Sequence, residues 1–454
     1  MDIDPKAKNA ATLSLMLLVA INLFNYIDRQ VLAAVEPEIR RELDRGLRIE
    51  AATAGALALD DPTLDAKIDF SEGTAKARMG LLTMAFLVSY MIFAPLFGWL
   101  AGRYSRWKLI GIGVILWSLA SGASGLDWHL GPMAAYWALL ATRCFVGIGE
   151  GGYGPVAPAI VSDLYPVEQR GRAMAHFFLA IPVGGALGYA FGEIVKNLLG
   201  WRWAFYLVVP PGILLGVLCF FMNDPRPKSH STDGGARKTN ILTDYFELFA
   251  IPSFTLNTLG MAAMTFAIGG LAFWMPDFLD QAGAPSFLNI GPRTIFGAIT
   301  AFAGLLATLA GGWAGDALRK HHGGAYFLVS GVAMFLAAPM IVGFIYAPFP
   351  AAWIFVFLAV FCLFFNTGPT NTILANVVPA PMRSAGFALN ILIIHILGDA
   401  ISPTIVGSLA GSDTPNLGFL LLAFVVLIGG IFWIWGSVHL EKDTMMASEM
   451  TKHE

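Results

Sequence analysis

Long apolar stretches recur along almost the whole chain, and they constrain the fold more than any other feature. An apolar stretch of about 20 residues is long enough to cross the hydrocarbon core of a bilayer as a helix. Backbone polar groups must be satisfied inside the bilayer, so the sequence predicts an all-α membrane protein. Twelve transmembrane helices are predicted, at residues 11–33, 79–101, 108–126, 134–160, 172–195, 203–222, 253–275, 293–316, 325–347, 351–378, 385–410 and 417–438.

Composition and short motifs exclude several classes of protein. Hydrophobic residues make up 56% of the chain and charged residues 13%, which is typical of a polytopic membrane protein. No basic block suited to nucleic acid occurs, so no nucleic-acid partner is expected. The three cysteines lie in apolar stretches without CxxC spacing, which predicts neither a disulfide framework nor a metal site. Motifs of the GxSxG, HExxH and P-loop types are absent, so we expect no enzyme activity and no cofactor.

A polar segment divides the predicted helices into two sets of six. Residues 223–240 are rich in Pro, Gly, Ser and charge, which is typical of a flexible linker. The predicted domains are an N-terminal six-helix bundle in residues 1–222, a cytoplasmic linker in 223–252 and a C-terminal bundle with a short cytoplasmic tail in 253–454. Residues 34–78 form a long outer loop in this prediction, and RRELDRGLRIEAA within it favours a short surface helix. That loop is either a solvated cap or a gate or partner-docking element.

The distribution of basic residues predicts the orientation of the helices. With both termini in the cytoplasm, the cytoplasmic segments carry sixteen Lys and Arg, and the outer segments carry ten, seven of them in the long first loop. Positive charge concentrates in cytoplasmic loops of membrane proteins. Both termini are therefore predicted to be cytoplasmic.

The two halves of the chain repeat a short motif. GWLAGRYSRWK at residues 98–108 stands between the second and third helices, and GWAGDALRK at 312–320 stands between the eighth and ninth. Each motif has a glycine near the end of a helix and a basic cluster just beyond it. A repeat of this kind predicts two pseudo-symmetric six-helix bundles around a central cavity.

Charged residues inside two of the apolar stretches are the strongest indication of function. An ionised side chain at bilayer depth costs roughly 2.5 kcal/mol or more unless it meets a partner or a watery cavity. Asp28 and Arg29 lie at the end of the first stretch, and Glu150 lies in the fourth. Arg29 and Glu150 are opposite in charge, so we predict that they pair. Asp28 would either share the arginine or cap a cavity.

This pairing leads to a hypothesis with one alternative. Protonation of Glu150 would weaken its pairing with Arg29 and shift one bundle relative to the other, with H⁺ as the coupling ion. The alternative is a permanent structural salt bridge between the first and fourth helices.

Further polar residues in the apolar stretches are candidates for binding. Arg143 shares a helix face with Glu150 and would either contact an anionic group or pair with Asp28. His395 and Asp399 are four residues apart and share a face of the eleventh helix. His395 either senses pH or is a satisfied interior histidine, and a helix-packing hydrogen bond is the alternative role for Asp399. The remaining candidates, each of which can also serve packing alone, are Tyr153, Asn366, Asn371 and Asn390.

The repeated motif resembles the loop signature of the major facilitator superfamily. The second copy matches it at Gly312, Asp316, Arg319 and Lys320, whereas the first copy has Gly102 in place of the acidic residue. In that superfamily the acid helps to hold the cytoplasmic side closed, so the resemblance implies a weakened closure and an inward-open resting state. The expected gating residues are Gly98, Arg103, Arg106, Gly312, Asp316, Arg319 and Asp399.

Within the superfamily the chain most resembles the spinster family. The matching segments are NYIDR at 25–29, RCFVGIGEGGYGPVAPAIVSDLYP at 143–166, RGRAMAHFFLAIPVGGALGYAFG at 170–192, WRWAFYLVVPPGILLG at 201–216 and HILGDAISPTIVG at 395–407. The resemblance implies a secondary active transporter of a lysophospholipid or sphingoid phosphate that works by alternating access. We also expect a monomer in a bacterial inner membrane, the bacterial origin being suggested by the compact tails. A proton-coupled symporter of small organic anions is the alternative, because NYxDR and RxxxGxxE also occur in such transporters.

Overall fold

All regular elements in the described part of the chain are helices. The computed structural model describes residues 5–55, 72–126, 131–225, 241–286, 291–409 and 416–453. Besides a short helix, Ile241–Phe249, the helices are α1 Pro5–Gly55, α2 Glu72–Ala101, α3 Arg106–Ser124, α4 Pro132–Gly151 with Val156–Leu164, α5 Arg170–Leu199, α6 Trp201–Cys219, α7 Pro252–Gln281, α8 Pro292–Arg319, α9 Ala325–Tyr346, α10 Ala352–Val377, α11 Ala380–Leu409, α12 Leu417–Gly436 and α13 Leu440–His453.

The predicted twelve-helix membrane fold is confirmed. Eleven of the described helices are long and apolar enough to cross a membrane. The twelfth is α4, which carries Arg143 and Glu150 and is interrupted between Gly151 and Val156. Proline occupies the start of α4, α7 and α8, where its missing N–H costs no intrahelical hydrogen bond.

The helices pack into two halves of the same design. In the N-terminal half, α1 packs on α5, α2 on α4 and α3 on α6. In the C-terminal half, α7 packs on α11, α8 on α10 and α9 on α12, which repeats the same pairs six helices later. The halves meet along two symmetry-related pairs, α2 with α11 and α5 with α8. We call the face that carries the start of α1 and the helix α13 the termini face.

The first helix is much longer than its apolar stretch. It contains 51 residues, so it is about 76 Å long at the usual helical rise. The prediction of a loop over residues 34–78 was therefore wrong at both ends, since residues 34–55 continue α1 and α2 already begins at Glu72. Residues 56–71 lie outside the described part. The expected surface helix exists, but it is continuous with the membrane helix even though Pro37 lies between them.

The extension of α1 is fixed to the N-terminal half. Its residues Ile39, Leu43 and Leu47 are buried in one apolar cluster with residues of α2, α4, α5 and α6. Glu42 accepts hydrogen bonds from the Trp201 indole at 2.9 Å and from the Arg202 guanidinium at 2.5 and 2.9 Å. The extension is thus a rigid part of this half.

The segment predicted as a linker contains a helix. Ile241–Phe249 is helical, and the Tyr245 hydroxyl donates to the carbonyl of Pro95 in α2 at 2.5 Å. Residues 226–240 lie outside the described part. The helix therefore ties the connection between the halves to α2.

Candidate functional site

Arg29 of α1 and Glu150 of α4 form an ion pair in the N-terminal half. Arg29 Nε donates to Glu150 Oε2 at 2.7 Å, and Nη2 donates to the same oxygen. The other oxygen, Oε1, is buried without a hydrogen-bond partner in the described residues. Only 1% of the Glu150 side chain is exposed, against 23% of Arg29. The pairing expected from opposite charge is present, and it leaves the arginine as the more accessible partner.

Glycine beside Glu150 brings α2 close to this pair. A Cβ at Gly147 would overlap Ser89 Oγ and the carbonyl of Phe86, and it would lie 3.0 Å from the amide nitrogen of Tyr90. Any side chain at Gly147 would therefore push α2 away from the pair. The glycines of the Arg143–Gly154 face thus serve close helix packing.

Three aromatic rings surround the guanidinium of Arg29. Its Cζ lies 5.0 Å from the ring centre of Tyr26, 4.9 Å from Phe86 and 5.4 Å from Tyr90. Such contacts stabilise a cation where water is scarce. These rings were not predicted from the sequence, although Phe86 and Tyr90 stand four residues apart and therefore share a face of α2.

Tyr90 connects this cluster to the C-terminal half. Its ring contacts His395 of α11 edge to face, with the ring centres 5.7 Å apart. His395 Nδ1–H donates to Asp399 Oδ1 at 2.8 Å, so the two predicted residues of α11 do meet. The series Glu150, Arg29, Tyr90, His395 and Asp399 thus crosses the boundary between the halves.

The helix α11 is irregular where it meets this cluster. His395–Asp399 forms a π-helical turn, and Gly398 departs from helical geometry with φ −107° and ψ −111°. Such turns inside α-helices often occur at functional sites. The kink fits against α7, because a Cβ at Gly269 would lie only 2.7 Å from the Cβ of Asp399.

Replacing Gly269 by alanine is expected to disturb this kink. The added methyl group would also lie 2.8 Å from both Asp399 Cα and Ser402 Oγ, so α11 must move. Overpacking of this kind costs about 1–3 kcal/mol. The expected result is a lower Tm in detergent, measured by tryptophan fluorescence. Gly297→Ala in α8 is the matched control, since its Cβ would meet nothing within 4 Å; equal Tm values for the two variants would contradict this packing argument.

Asp28 and Arg143 lie inside the N-terminal half rather than at its boundary. Asp28 is 1% exposed and accepts a hydrogen bond from the Ser121 hydroxyl of α3. Arg143 is 3% exposed, donates to Ser124 Oγ at 2.6 Å and lies over the ring of Phe205. The contacts of Arg143 are therefore with α3 and α6.

The other predicted binding residues also make contacts within one half. The Tyr153 hydroxyl donates to the carbonyl of Leu18 at 2.8 Å. Asn366 and Asn371 donate to carbonyls one turn earlier in α10, at 2.9 and 2.8 Å. Asn390 donates to Thr258 Oγ1 at 3.1 Å. Each of these side chains is buried, and these contacts stabilise helix packing.

Two glycines of the repeated motif let the halves approach each other at the termini face. A Cβ at Gly98 of α2 would overlap Ala388 of α11, and one at Gly312 of α8 would overlap Ala175 of α5. The two contacts are related by the pseudo-symmetry of the halves. The predicted gating residue Arg103 lies beside them and covers the ring of Trp99, with its Cζ 3.6 Å from the ring centre.

An acidic residue that was not among the predicted site residues joins the halves here. Asp163, at the end of α4, binds Arg106 Nη1 at 2.6 Å and also pairs with Arg383 at the start of α11. Arg106 is 1% exposed and pairs in addition with Asp224 at 2.8 Å. One carboxylate thus holds a cation from each half.

The second copy of the motif closes the symmetry-related contact. Asp316 Oδ2 accepts from the backbone N–H of Arg172 at 3.1 Å, at the N-terminus of α5, where a negative charge is favoured. Tyr326 also donates to Asp316, at 2.8 Å, and Arg319 donates to the carbonyl of Val167 at 3.0 Å. We refer to the contacts of Asp163 and Asp316 together as the clamp.

The clamp differs from the expectation based on Gly102. The missing acid in the first copy led us to expect a weak closure and an inward-open state, whereas the halves are joined at the termini face in this structure. Asp163 supplies the carboxylate from α4 instead of from the loop after α2. The spacing of Asp163 and Arg170, at the end of α4 and the start of α5, could have pointed to a charged contact there. Arg170 does cross the boundary, donating to Asn376 Oδ1 at 2.9 Å.

The chain is similar in sequence to known proteins over most of its length. The Major Facilitator Superfamily profile matches residues 18–403. Protein spinster homolog 1 of Bos taurus is 31% identical over 96% of this chain and 82% of its own length. Protein spinster homolog 3 of Danio rerio is 31% identical over 99% of this chain and 91% of its own length.

Solved structures share the fold at lower identity. The proton:xylose symporter XylE bound to 6-bromo-6-deoxy-D-glucose has a TM-score of 0.71 and 15% identity, covering 96% of each chain. A bacterial homolog to the human lysosomal transporter Spinster, in an inward-facing and unoccupied conformation, has a TM-score of 0.56 and 19% identity, covering 99% of each chain. These likenesses support the fold of two six-helix bundles.

Proposed function

Because this chain belongs to the spinster family of the major facilitator superfamily and is a membrane transporter, we propose that it carries an amphipathic anionic lipid. The proposed substrate is a lysophospholipid or a sphingoid phosphate, moved by proton-coupled alternating access. The observation that carries this proposal is the Arg29–Glu150 pair, which is linked to the C-terminal half through Tyr90 and His395.

The proton-coupling step follows from the two oxygens of Glu150. Oε2 accepts both hydrogen bonds from Arg29, and Oε1 has no partner in the described residues. A proton on the carboxylate removes the negative charge that holds Arg29. The guanidinium is then available to an anionic group of the substrate, so proton binding and substrate binding are linked at one residue.

The surroundings of Arg29 favour a substrate with one anionic end. Arg29 provides a cation among aromatic rings, whereas α7, α10 and residues 384–409 of α11 contain no Lys or Arg. A small organic anion held on both sides would need a cation in the C-terminal half as well. A single headgroup at Arg29 with an acyl tail along the C-terminal half fits this distribution better. The small organic anion symporter remains the alternative.

The contact between Tyr90 and His395 is the proposed link to conformational change. Loss of the Glu150 charge frees Arg29, which alters the cation–ring contacts of Tyr90 and hence its edge contact with His395. The π-helical turn of α11 can absorb such a shift more easily than a regular helix. Asp399 orients His395 in this scheme, and the clamp then opens at the termini face.

We further propose a bacterial inner-membrane location with a cytoplasmic termini face and a monomeric carrier. The excess of Lys and Arg in the segments at this face supports the orientation. The clamp residues then control access to the cytoplasm.

The proposal is tested with purified protein in liposomes. Lysophospholipid movement is expected to increase when a pH gradient is imposed, and an excess of a small organic anion should leave it unchanged. The assay follows a fluorescent lysophospholipid with and without the gradient, with protein-free liposomes as the control. If only the organic anion moves and the lipid does not, the symporter alternative replaces the proposal.

A further inference from the structure

A cavity of about 490 Å³ lies at the termini face of the C-terminal half, away from the Arg29–Glu150 pair. The loop between α8 and α9 forms one wall, and the first turns of α13 form the other. Tyr326 and Asn376 complete the lining. The cavity belongs to one half of the protein and does not require the two halves to meet.

Positive charge dominates the lining of this cavity. Arg319, Lys320, His321 and His322 line it, and Glu441 of α13 is the only acidic residue in the lining. His322 Nδ1 accepts a hydrogen bond from the N–H of Gly324 at 3.1 Å, so in the neutral ring Nε2 carries the hydrogen. The side chains of Lys320 and His321 make no hydrogen bond or ion pair within the described part of the chain.

The backbone adds to this positive potential. The 22-residue helix α9 begins at Ala325, beside the cavity, and helix N-termini favour anions. Arg319 and Lys320, at the end of α8, also interact favourably with the dipole of α8. That interaction alone does not account for a cavity with a second wall formed by α13. Cationic side chains and a helix N-terminus around one cavity form a site for an anion.

We propose that this cavity binds a phosphate group. The planar guanidinium of Arg319 and the ammonium of Lys320 are the side chains that most often recognise phosphate oxygens in proteins. The imidazole N–H groups of His321 and His322 add hydrogen-bond donors. The phosphate can belong to a lipid headgroup of the adjacent membrane leaflet or to a soluble molecule.

Two lining residues connect the site to the N-terminal half, next to the clamp. Arg319 donates to the carbonyl of Val167, and Asn376 accepts from Arg170, so both touch the N-terminal half. A phosphate bound to Arg319 competes with that carbonyl for the same guanidinium. Phosphate bound in the cavity therefore changes the strength of a contact that holds the termini face closed.

Line broadening of inorganic phosphate in ³¹P NMR, with the full-length protein in detergent, tests the proposal. Lys320→Gln is expected to weaken phosphate binding about threefold and Glu441→Gln to strengthen it about threefold, the effect of one charge near the surface. Lys108→Gln, an exposed cation at the start of α3 outside the cavity, is the matched control. A gain of binding in Glu441→Gln cannot arise from misfolding. Equal broadening in all four proteins would overturn the proposal.

The source of the phosphate is tested in nanodiscs. Phosphatidic acid added to phosphatidylcholine is expected to raise the Tm of the wild type more than that of Lys320→Gln if the site takes lipid headgroups. A soluble source is indicated when inorganic phosphate binds and phosphatidic acid has no Lys320-dependent effect. Absence of a Lys320-dependent effect in both experiments would overturn the proposal. Neither readout uses transport, so failure of the proposed function leaves this test intact.

Discussion

Glu150→Gln is expected to abolish lipid accumulation driven by a pH gradient while exchange of lipid across the membrane continues. Glutamine keeps the shape of the side chain but cannot bind and release the proton. One coupled proton and a gradient of about two pH units can drive about a hundredfold accumulation, since each unit is worth about 1.4 kcal/mol. Accumulation in liposomes is therefore expected to fall by about a hundredfold, measured with a fluorescent lysophospholipid.

Two comparisons make this result specific. Glu193→Gln applies the same chemical change to a glutamate of α5 whose side chain is 56% exposed, and it should retain coupling. Counterflow, in which labelled lipid exchanges against unlabelled lipid without a gradient, distinguishes uncoupling from inactivation. Undiminished accumulation in Glu150→Gln would show that the coupling proton binds elsewhere. Loss of both accumulation and counterflow, with a lower Tm, would favour a structural salt bridge.

Asp163→Asn is expected to open the termini face and to lower stability. The change leaves Arg383 without its carboxylate and removes one of the two carboxylates that bind Arg106. Both arginines are buried. Removing one partner of a buried ion pair costs about 3–5 kcal/mol. A change of that size can shift a two-state equilibrium more than about a hundredfold.

Spin labels provide the measurement for this variant. Labels at the exposed residues Glu168 and Lys442 lie on different halves at the termini face, and their distance distribution should shift to longer values. Asp280→Asn is the control, because its ion pair with Arg293 is exposed on both sides and such pairs contribute about 0–1 kcal/mol. A distance distribution identical to that of the wild type would mean that Asp163 does not hold the halves together.

The sequence predicted the parts of the molecule that the bilayer constrains. Each apolar stretch had to form a helix, and a charge inside such a stretch had to find a partner, so the helices and the Arg29–Glu150 pair could be predicted. The length of α1 could not, because the apolar stretch ends where the membrane ends whereas the helix continues in water. Hydropathy therefore predicts where the chain leaves the membrane, but it does not predict where the helix ends.

The missed residues have a different physical reason. Asp163 and Arg383 stand at helix ends, where charged residues are ordinary, and only the packing of α4 against α11 shows that one carboxylate serves both halves. Phe86 and Tyr90 are two of many aromatic residues in apolar helices. Arg143 does share a face with Glu150, but the neighbours of α4 change along its length, so the two charges meet different helices. Helical periodicity predicts which residues share a face of a helix, but it does not predict which other helix packs against that face at each depth in the membrane.

The long first helix turns small motions of the N-terminal half into large displacements outside the membrane. Its end at Gly55 lies 26 residues beyond Arg29, a lever arm of about 39 Å at the usual rise. Glu42 and the buried leucines fix this extension of α1 to the N-terminal half, so the two move together. A rotation of that half by about 15° about the Arg29–Glu150 pair is a typical angle for a rigid-body switch. It would move the end of α1 by roughly 10 Å. A rotation of the N-terminal half at Arg29 therefore produces a large displacement of the end of α1 on the face away from the termini.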